Sequence, residues 1–201
     1  PSNPTGTILE QDVMQHLLDA VGDKNGHLIV DEIYQGLVYD ECEHTALALS
    51  DDVFVINSFS KYFGMTGWRI GWMVVPEQFV DAVDRVAQNI FLAPATISQH
   101  AALVALEPET DKILQRRVAM FKERRDYLLP VLQELGFKIP VQPQGAFYIY
   151  ADCSAITDDS FQWTKDLLEK EGVAVTPGVD FGAFEANTHL RFSYTRSVDE
   201  L

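Results

Sequence analysis

The run Asp52-Val-Phe-Val-Ile-Asn-Ser-Phe59 is apolar and β-branched, and it stops abruptly at Ser60-Lys61. A stretch of this kind reads as a buried strand. A lysine leaving its end sits where layered α/β sheets hold their ligands. The chain continues as Tyr62-Phe-Gly64-Met-Thr-Gly67-Trp-Arg69-Ile-Gly71-Trp72, a segment with three glycines and an arginine. Glycine lets backbone turn sharply or approach closely. Arginine presents a planar fork that matches phosphate oxygens, and hydroxyls add further donors.

Taken singly, these residues have ordinary readings. Lys61 could be a solvated charge, Arg69 half of a surface ion pair, and Ser58 and Ser60 turn residues. The joint pattern S-x-S-K-x7-R-x-G is far more specific than its parts. An amine held away from water beside other cations becomes nucleophilic, as imine chemistry requires. The set has what is needed to hold a phosphorylated aldehyde covalently through Lys61 and by its phosphate through Ser58, Ser60 and Arg69.

Strands and helices alternate around this segment, the pattern of a layered α/β domain. Helix is expected over 10–21, with Val13, Leu17, Leu18 and Val21 on one face. Strands are expected over 27–30, ending at Asp31, over 53–59 and over 70–75. Pro76 opens a helix to about 92, and a second covers 96–106. A long helix over 109–135 contains Pro130, where a kink is expected. Beyond Gly136 the character changes. Strands over 138–142, 145–150, 173–175 and 189–194 surround a helix over 160–171. The boundary is placed near residue 112, between an α/β part at 1–112 and a small α+β domain at 113–201. Ser197 opens an apolar-acidic run with a helix-start signal.

The formal charge of −15 disfavours nucleic acid or an anionic membrane as partner, since either would repel this surface. Cys42 and Cys153 have neither metal-ligand spacing nor a disulfide framework and read as thiols of a reducing, cytoplasmic compartment. None of the five histidines shows paired metal spacing, and no metal site is expected. Trp68 and Trp72 are expected in the core.

Three further residues stand out. Asp31 closes a short apolar strand and reads either as a turn cap or as a carboxylate at a ligand-binding strand end. Asn3 opens Asn-Pro-Thr-Gly6, a turn sequence about one crossover before Asp31. Arg191, in His-Leu-Arg-Phe-Ser, has apolar neighbours on both sides. It reads as an intradomain ion pair or as a clamp for a substrate carboxylate, with Arg196 a weaker alternative.

In order and spacing, Asn3-Pro-Thr-Gly6, Asp31-Glu-Ile-Tyr34, Ser58-x-Ser60-Lys61-x7-Arg69 and His-Leu-Arg191-Phe-Ser resemble the class I/II aminotransferases of fold type I. The resemblance covers nearly the whole chain. It implies part of a mostly parallel three-layer large domain followed by a small C-terminal α+β domain, with the N-terminal half of the enzyme and its last residues outside the sequence. It implies pyridoxal 5'-phosphate held as a Schiff base on Lys61. The carboxylate of Asp31 would face the pyridine nitrogen, Tyr34 and Asn3 the phenolate oxygen, and Ser58, Ser60 and Arg69 the phosphate. Arg191 would grip an amino acid or 2-oxo acid. A homodimer is implied, with the active site at its interface. The glycine-containing loop that completes the phosphate cup, and the aromatic that stacks on the ring, belong to the absent half. The same Lys, Asp and Arg would serve a carbon–sulfur lyase or a cyclopropane-forming synthase of the same fold type. A non-catalytic module that keeps the fold is the other alternative.

Overall fold

A computed structural model describes residues 1–39 and 44–201, so Cys42 lies outside the described residues. The chain divides into two units, one of Leu9–Arg116 and one of Pro1–Ile8 with Arg117–Leu201.

In the first unit, β1 (Leu28–Asp31) and β2 (Val53–Ser58) pair in parallel, and β3 (Gly71–Val74) pairs antiparallel to β2, giving the order β1-β2-β3. The period-two pattern of β2 decides which face is covered. Val53 and Val55 are buried with Ala46, and Met14 and Leu18 of α1 (Gln11–Gly22) pack against them. On the other face Ile56, its register partner Met73, and Ile29, the partner of Phe54, remain exposed. Helices α2 (Val80–Ile90), α3 (Thr96–Ala105) and the start of α4 (Pro108–Glu134) follow. Phe59, Met65, Ala102 and Ala105 form a second buried cluster that ties the turn after β2 to α3. Trp68 and Trp72 are not core residues, being 42% and 39% exposed. For Trp72 the cause is topological: among the described residues β3 pairs only with β2, and every one of its residues is exposed. Trp72 meets Phe59 edge-on at 5.1 Å.

The second unit holds the rest of α4, β4 (Tyr148–Asp152), α5 (Ser160–Glu171), β5 (Thr176–Pro177) and β6 (His189–Ser193), with strand order β4-β6-β5 and antiparallel pairing throughout. Ile149, Ala151, Leu190, Cys153 and Tyr194 have no exposed surface. Phe137 meets Trp163 of α5 and Phe192 of β6 edge-on. The opposite face of the sheet carries Tyr148, Tyr150, Thr176, His189 and Arg191, because directly paired residues share a face. Asp159 caps α5 by accepting from the Gln162 N–H, and Gly172 ends it in the left-handed conformation.

Helix α4 runs through Pro130 without interruption of its span. The expected strand over 138–142 is reduced to a single bridge between Lys138 and Asp152. Pro140 lacks the N–H that a continued ladder needs. Strand β5 forms at Thr176–Pro177 rather than over 173–175. The helix signal at Ser197 gives a short 3-10 turn, Val198–Glu200, closed by a reciprocal Ser197–Glu200 cap.

A Cβ on Gly71 would stand 2.6 Å from the Asn57 carbonyl oxygen. Gly71→Ala is therefore expected to destabilise the protein by about 1–3 kcal/mol through overpacking, read as a lower denaturant midpoint. Burial pushes the Cys153 thiol up to about 11, above its ordinary value of 9.0. The native state thus keeps this proton where the unfolded chain loses it. The resulting stability is fully present below about pH 9 and lost as pH rises through 11. Urea midpoints should fall across that window, and less steeply in Cys153→Ala.

Candidate active site

The first unit gathers six of the residues singled out in the sequence around the C-terminal ends of β1 and β2. Asp31 is the last residue of β1, opposite Ile56 in the register. Its Oδ1 accepts from the Ile33 N–H at 3.0 Å, which starts the turn that carries Tyr34. Tyr34 is buried, and the Lys61 Nζ stands 5.4 Å from the centre of its ring. Ser58 ends β2. Its Oγ lies 2.9 Å from the Ser60 Oγ, accepts from the Ser60 N–H at 3.0 Å, and approaches the Ile70 carbonyl at 3.2 Å. The two hydroxyls are thus presented side by side on the turn that delivers Lys61.

Arg69 is exposed, with φ of 51°, and its Nη1 donates to the Thr66 carbonyl at 3.1 Å. The left-handed backbone at Arg69 and the close approach at Gly71 return the chain to Ser58, to which Gly71 is paired. With its Nε and Nη2 N–H groups left over, the Arg69 fork and the hydroxyl pair on the adjoining turn make a donor set for an anion.

Other residues hold this arrangement and carry weaker sequence signals. Glu32 accepts from the Thr45 hydroxyl at 2.9 Å and the Ala46 N–H at 2.8 Å, which pins the segment after Asp31. Asn57, almost fully buried, accepts from the Ser58 N–H at 2.7 Å and donates to Gln35 at 3.3 Å. A polar residue amid the apolar run 53–59 was the available sign of Asn57. For Glu32 the sign was a second carboxylate beside Asp31.

The second unit brings Asn3 and Arg191 together. Arg191 Nη1 donates to Asn3 Oδ1 at 2.7 Å, and Nη2 donates to the Thr176 hydroxyl at 3.1 Å. The guanidinium packs 4.2 Å from the Tyr148 ring centre and 4.8 Å from that of Phe181. Its Nε is buried without a hydrogen-bond partner. Among the described residues no carboxylate pairs with Arg191, so the intradomain ion-pair reading does not hold. Arg196 instead stands exposed beside Glu200 at 3.7 Å. Asn3 lies in a turn, as its sequence indicated. That turn is held by the Gly6 carbonyl, which accepts from the N–H groups of Gln144 and Gly145 at 2.9 and 3.1 Å. Gly6 is required there: its φ is +69°, and a Cβ would stand 2.6 Å from that of Pro143. Arg125, buried, donates to the Pro143 carbonyl at 2.8 Å and so anchors the same loop. Tyr148, Phe181 and Thr176 were not singled out in the sequence. Their proximity to Arg191 depends on strand register, which a single sequence does not display.

The neutral partners of Arg191 make Asn3→Ala a clean probe. Loss of the Asn3 bond is expected to cost about 0.5–1.5 kcal/mol, measurable by chemical denaturation.

The sequence model of a family described as "Aminotransferase class I and II" matches residues 1–201. A valine–pyruvate aminotransferase of Mycobacterium tuberculosis is 38% identical over 196 residues, which is 96% of this chain and 50% of that protein. An aspartate/prephenate aminotransferase of Thermus thermophilus is 37% identical over 205 residues, 100% of this chain and 52% of that one. A solved structure from Silicibacter pomeroyi superposes with a TM-score of 0.93 at 49% identity, over 100% of this chain and 54% of that chain. The chain spans about half the length of the curated relatives it matches.

Proposed function

Because this chain belongs to the class I and II aminotransferase family and shares part of its fold, fold type I, we propose that its longer protein moves an amino group between an amino acid and a 2-oxo acid. The reading is carried by one observation: Lys61 leaves β2 on a turn that also presents Ser58 and Ser60, while Asp31 ends the parallel neighbour strand. These residues fit pyridoxal 5'-phosphate. The paired hydroxyls and the Arg69 fork suit its phosphate, the strand-end carboxylate of Asp31 suits a protonated pyridine nitrogen, and Lys61 suits its aldehyde.

When bound, the cofactor supplies an electron sink for the pair released as the substrate Cα–H bond breaks. Asp31 would hold the ring nitrogen in its protonated form. Lys61 would hold the cofactor through its aldehyde. Once free, the Lys61 amine would be the base that takes the proton from the substrate α-carbon and carries it. The Tyr34 hydroxyl would donate to the phenolate oxygen. Asn3 spends its Oδ1 on Arg191, and its amide N–H groups would be the donors that the family resemblance assigns to the phenolate oxygen. Arg191 binds the substrate carboxylate, for which its half-satisfied guanidinium is suited.

Residues 1–112 are assigned to the end of the large cofactor-binding domain and 113–201 to the small domain. The longer enzyme is assigned as a cytoplasmic homodimer, on the family resemblance and the ordinary character of its thiols. Among the described residues no helix is long and apolar enough to cross a membrane. No observation favours a lyase or a non-catalytic module over transamination.

In the full-length enzyme, Lys61→Ala is expected to lower kcat by roughly 10²–10⁴-fold, measured by 2-oxo acid release; a wild-type rate in this variant would refute the assignment. The 201-residue chain alone is expected to bind the cofactor weakly and turn over no substrate, tested by equilibrium dialysis and an activity assay.

A further inference from the structure

The sheet face that carries Arg191 also borders a cleft of about 270 Å³, lined by Thr5, Pro140, Val141, Tyr150, Phe184 and His189. Its walls are chiefly hydrocarbon, and its volume suits one side chain better than a whole cofactor. Several features join it to Arg191. His189 precedes Arg191 by two residues on β6 and so shares its face, about 6–7 Å along the strand. Thr5 follows by two residues the Asn3 that accepts the Arg191 hydrogen bond. Tyr150 is the cross-strand partner of Arg191 and also a wall of the cleft. Phe181 packs on the Arg191 guanidinium and stands edge-on to Tyr150 at 5.9 Å. Residue 191 therefore lies one strand step from the cleft, with its guanidinium packed on Tyr148 and Phe181.

Of the polar groups in the walls, the His189 ring is occupied, the Tyr150 phenol is neutral, and Glu185 brings a carboxylate. The rings of Tyr150 and His189 stack at 5.0 Å and 22°. His189 Nδ1 meets the Glu185 carbonyl at 2.9 Å, a geometry in which the ring donates. Burial, and less so the neighbouring Cys153 sulfur, push the Tyr150 phenol above its ordinary value, so it stays uncharged. Neither Lys nor Arg is among the lining residues, and Glu185 is one of them. An acidic side chain entering here would lose water and gain no counter-charge. A flat apolar group would gain the stacked rings and the Pro140–Val141 wall.

We propose that this cleft receives the side chain of the amino acid or 2-oxo acid whose carboxylate Arg191 holds, and that it selects large apolar, above all aromatic, side chains over acidic ones. The proposal rests on the role of Arg191 given under the proposed function. Phe184, 87% exposed, stands at the rim as a residue whose removal should leave the fold intact.

Carboxylates without an amino group test this apart from turnover. Dissociation constants of 3-phenylpropanoate and propanoate are measured by calorimetry on the full-length protein, as wild type, Val141→Trp, Phe184→Ala and Arg191→Ala. The phenyl compound is expected to bind at least tenfold tighter to the wild type. Filling the cleft with Val141→Trp, or removing its rim with Phe184→Ala, should lower that ratio at least threefold. Should Val141→Trp fail to fold, Phe184→Ala carries the test. A wild-type ratio below tenfold, or one that moves less than threefold in every folded cleft variant, overturns the proposal. Arg191→Ala should weaken both ligands alike; if it leaves propanoate binding unchanged, the carboxylate role of Arg191 fails, and the cleft assignment with it.

Discussion

The parallel register of Leu28–Asp31 on Val53–Ser58 sets Asp31 opposite Ile56, so both segments leave the sheet at the same end. From that end come the Tyr34 turn on one side and the Ser58–Ser60–Lys61 turn on the other. Slipping the pairing by one residue would turn Val53 and Val55 out of the α1-covered core and exchange every side chain between faces. The burial of these two valines is therefore what aims the lysine. Gly71 locks the third side, since only a residue without Cβ lets β3 lie this close to Asn57 and Ser58.

In the second unit a cation is held by neutral groups alone. Asn3, Thr176 and two aromatic rings surround Arg191, and one of its nitrogens is left unpaired. Partial burial of a charge without a counter-ion costs stability, a cost that an anionic ligand would remove. The same sheet face continues into a hydrocarbon cleft. Charge recognition and side-chain recognition can thus be set by one strand, two residues apart. The loop around Pro143, anchored by Arg125 and closed on Gly6, keeps Asn3 within reach of that strand.

Much of this was legible in the residues. Most of the apolar run 53–59 forms β2, the segment 160–171 forms α5, Asp31 ends β1, and Lys61 stands on the turn after β2. Local chemistry dictates such features: periodicity, caps and the glycine that ends a helix. What a single sequence does not display is non-local pairing. The partners of Arg191 come from β4, from β5, from the turn after β5 and from the first residues of the chain. The exposure of Trp72 likewise follows from β3 lying at a sheet edge, which hydropathy does not reveal. Pro140 shows the limit of reading β-branched stretches as strands, since the missing N–H leaves only an isolated bridge at Lys138.

The central claim is that Lys61 is the covalent anchor of pyridoxal 5'-phosphate. Borohydride reduction of the full-length enzyme, followed by peptide mass spectrometry, tests it most directly. A pyridoxyl phosphate adduct on the Lys61 side chain is the predicted result. An adduct on another lysine, or an unmodified Lys61 in enzyme that carries the cofactor, would contradict it.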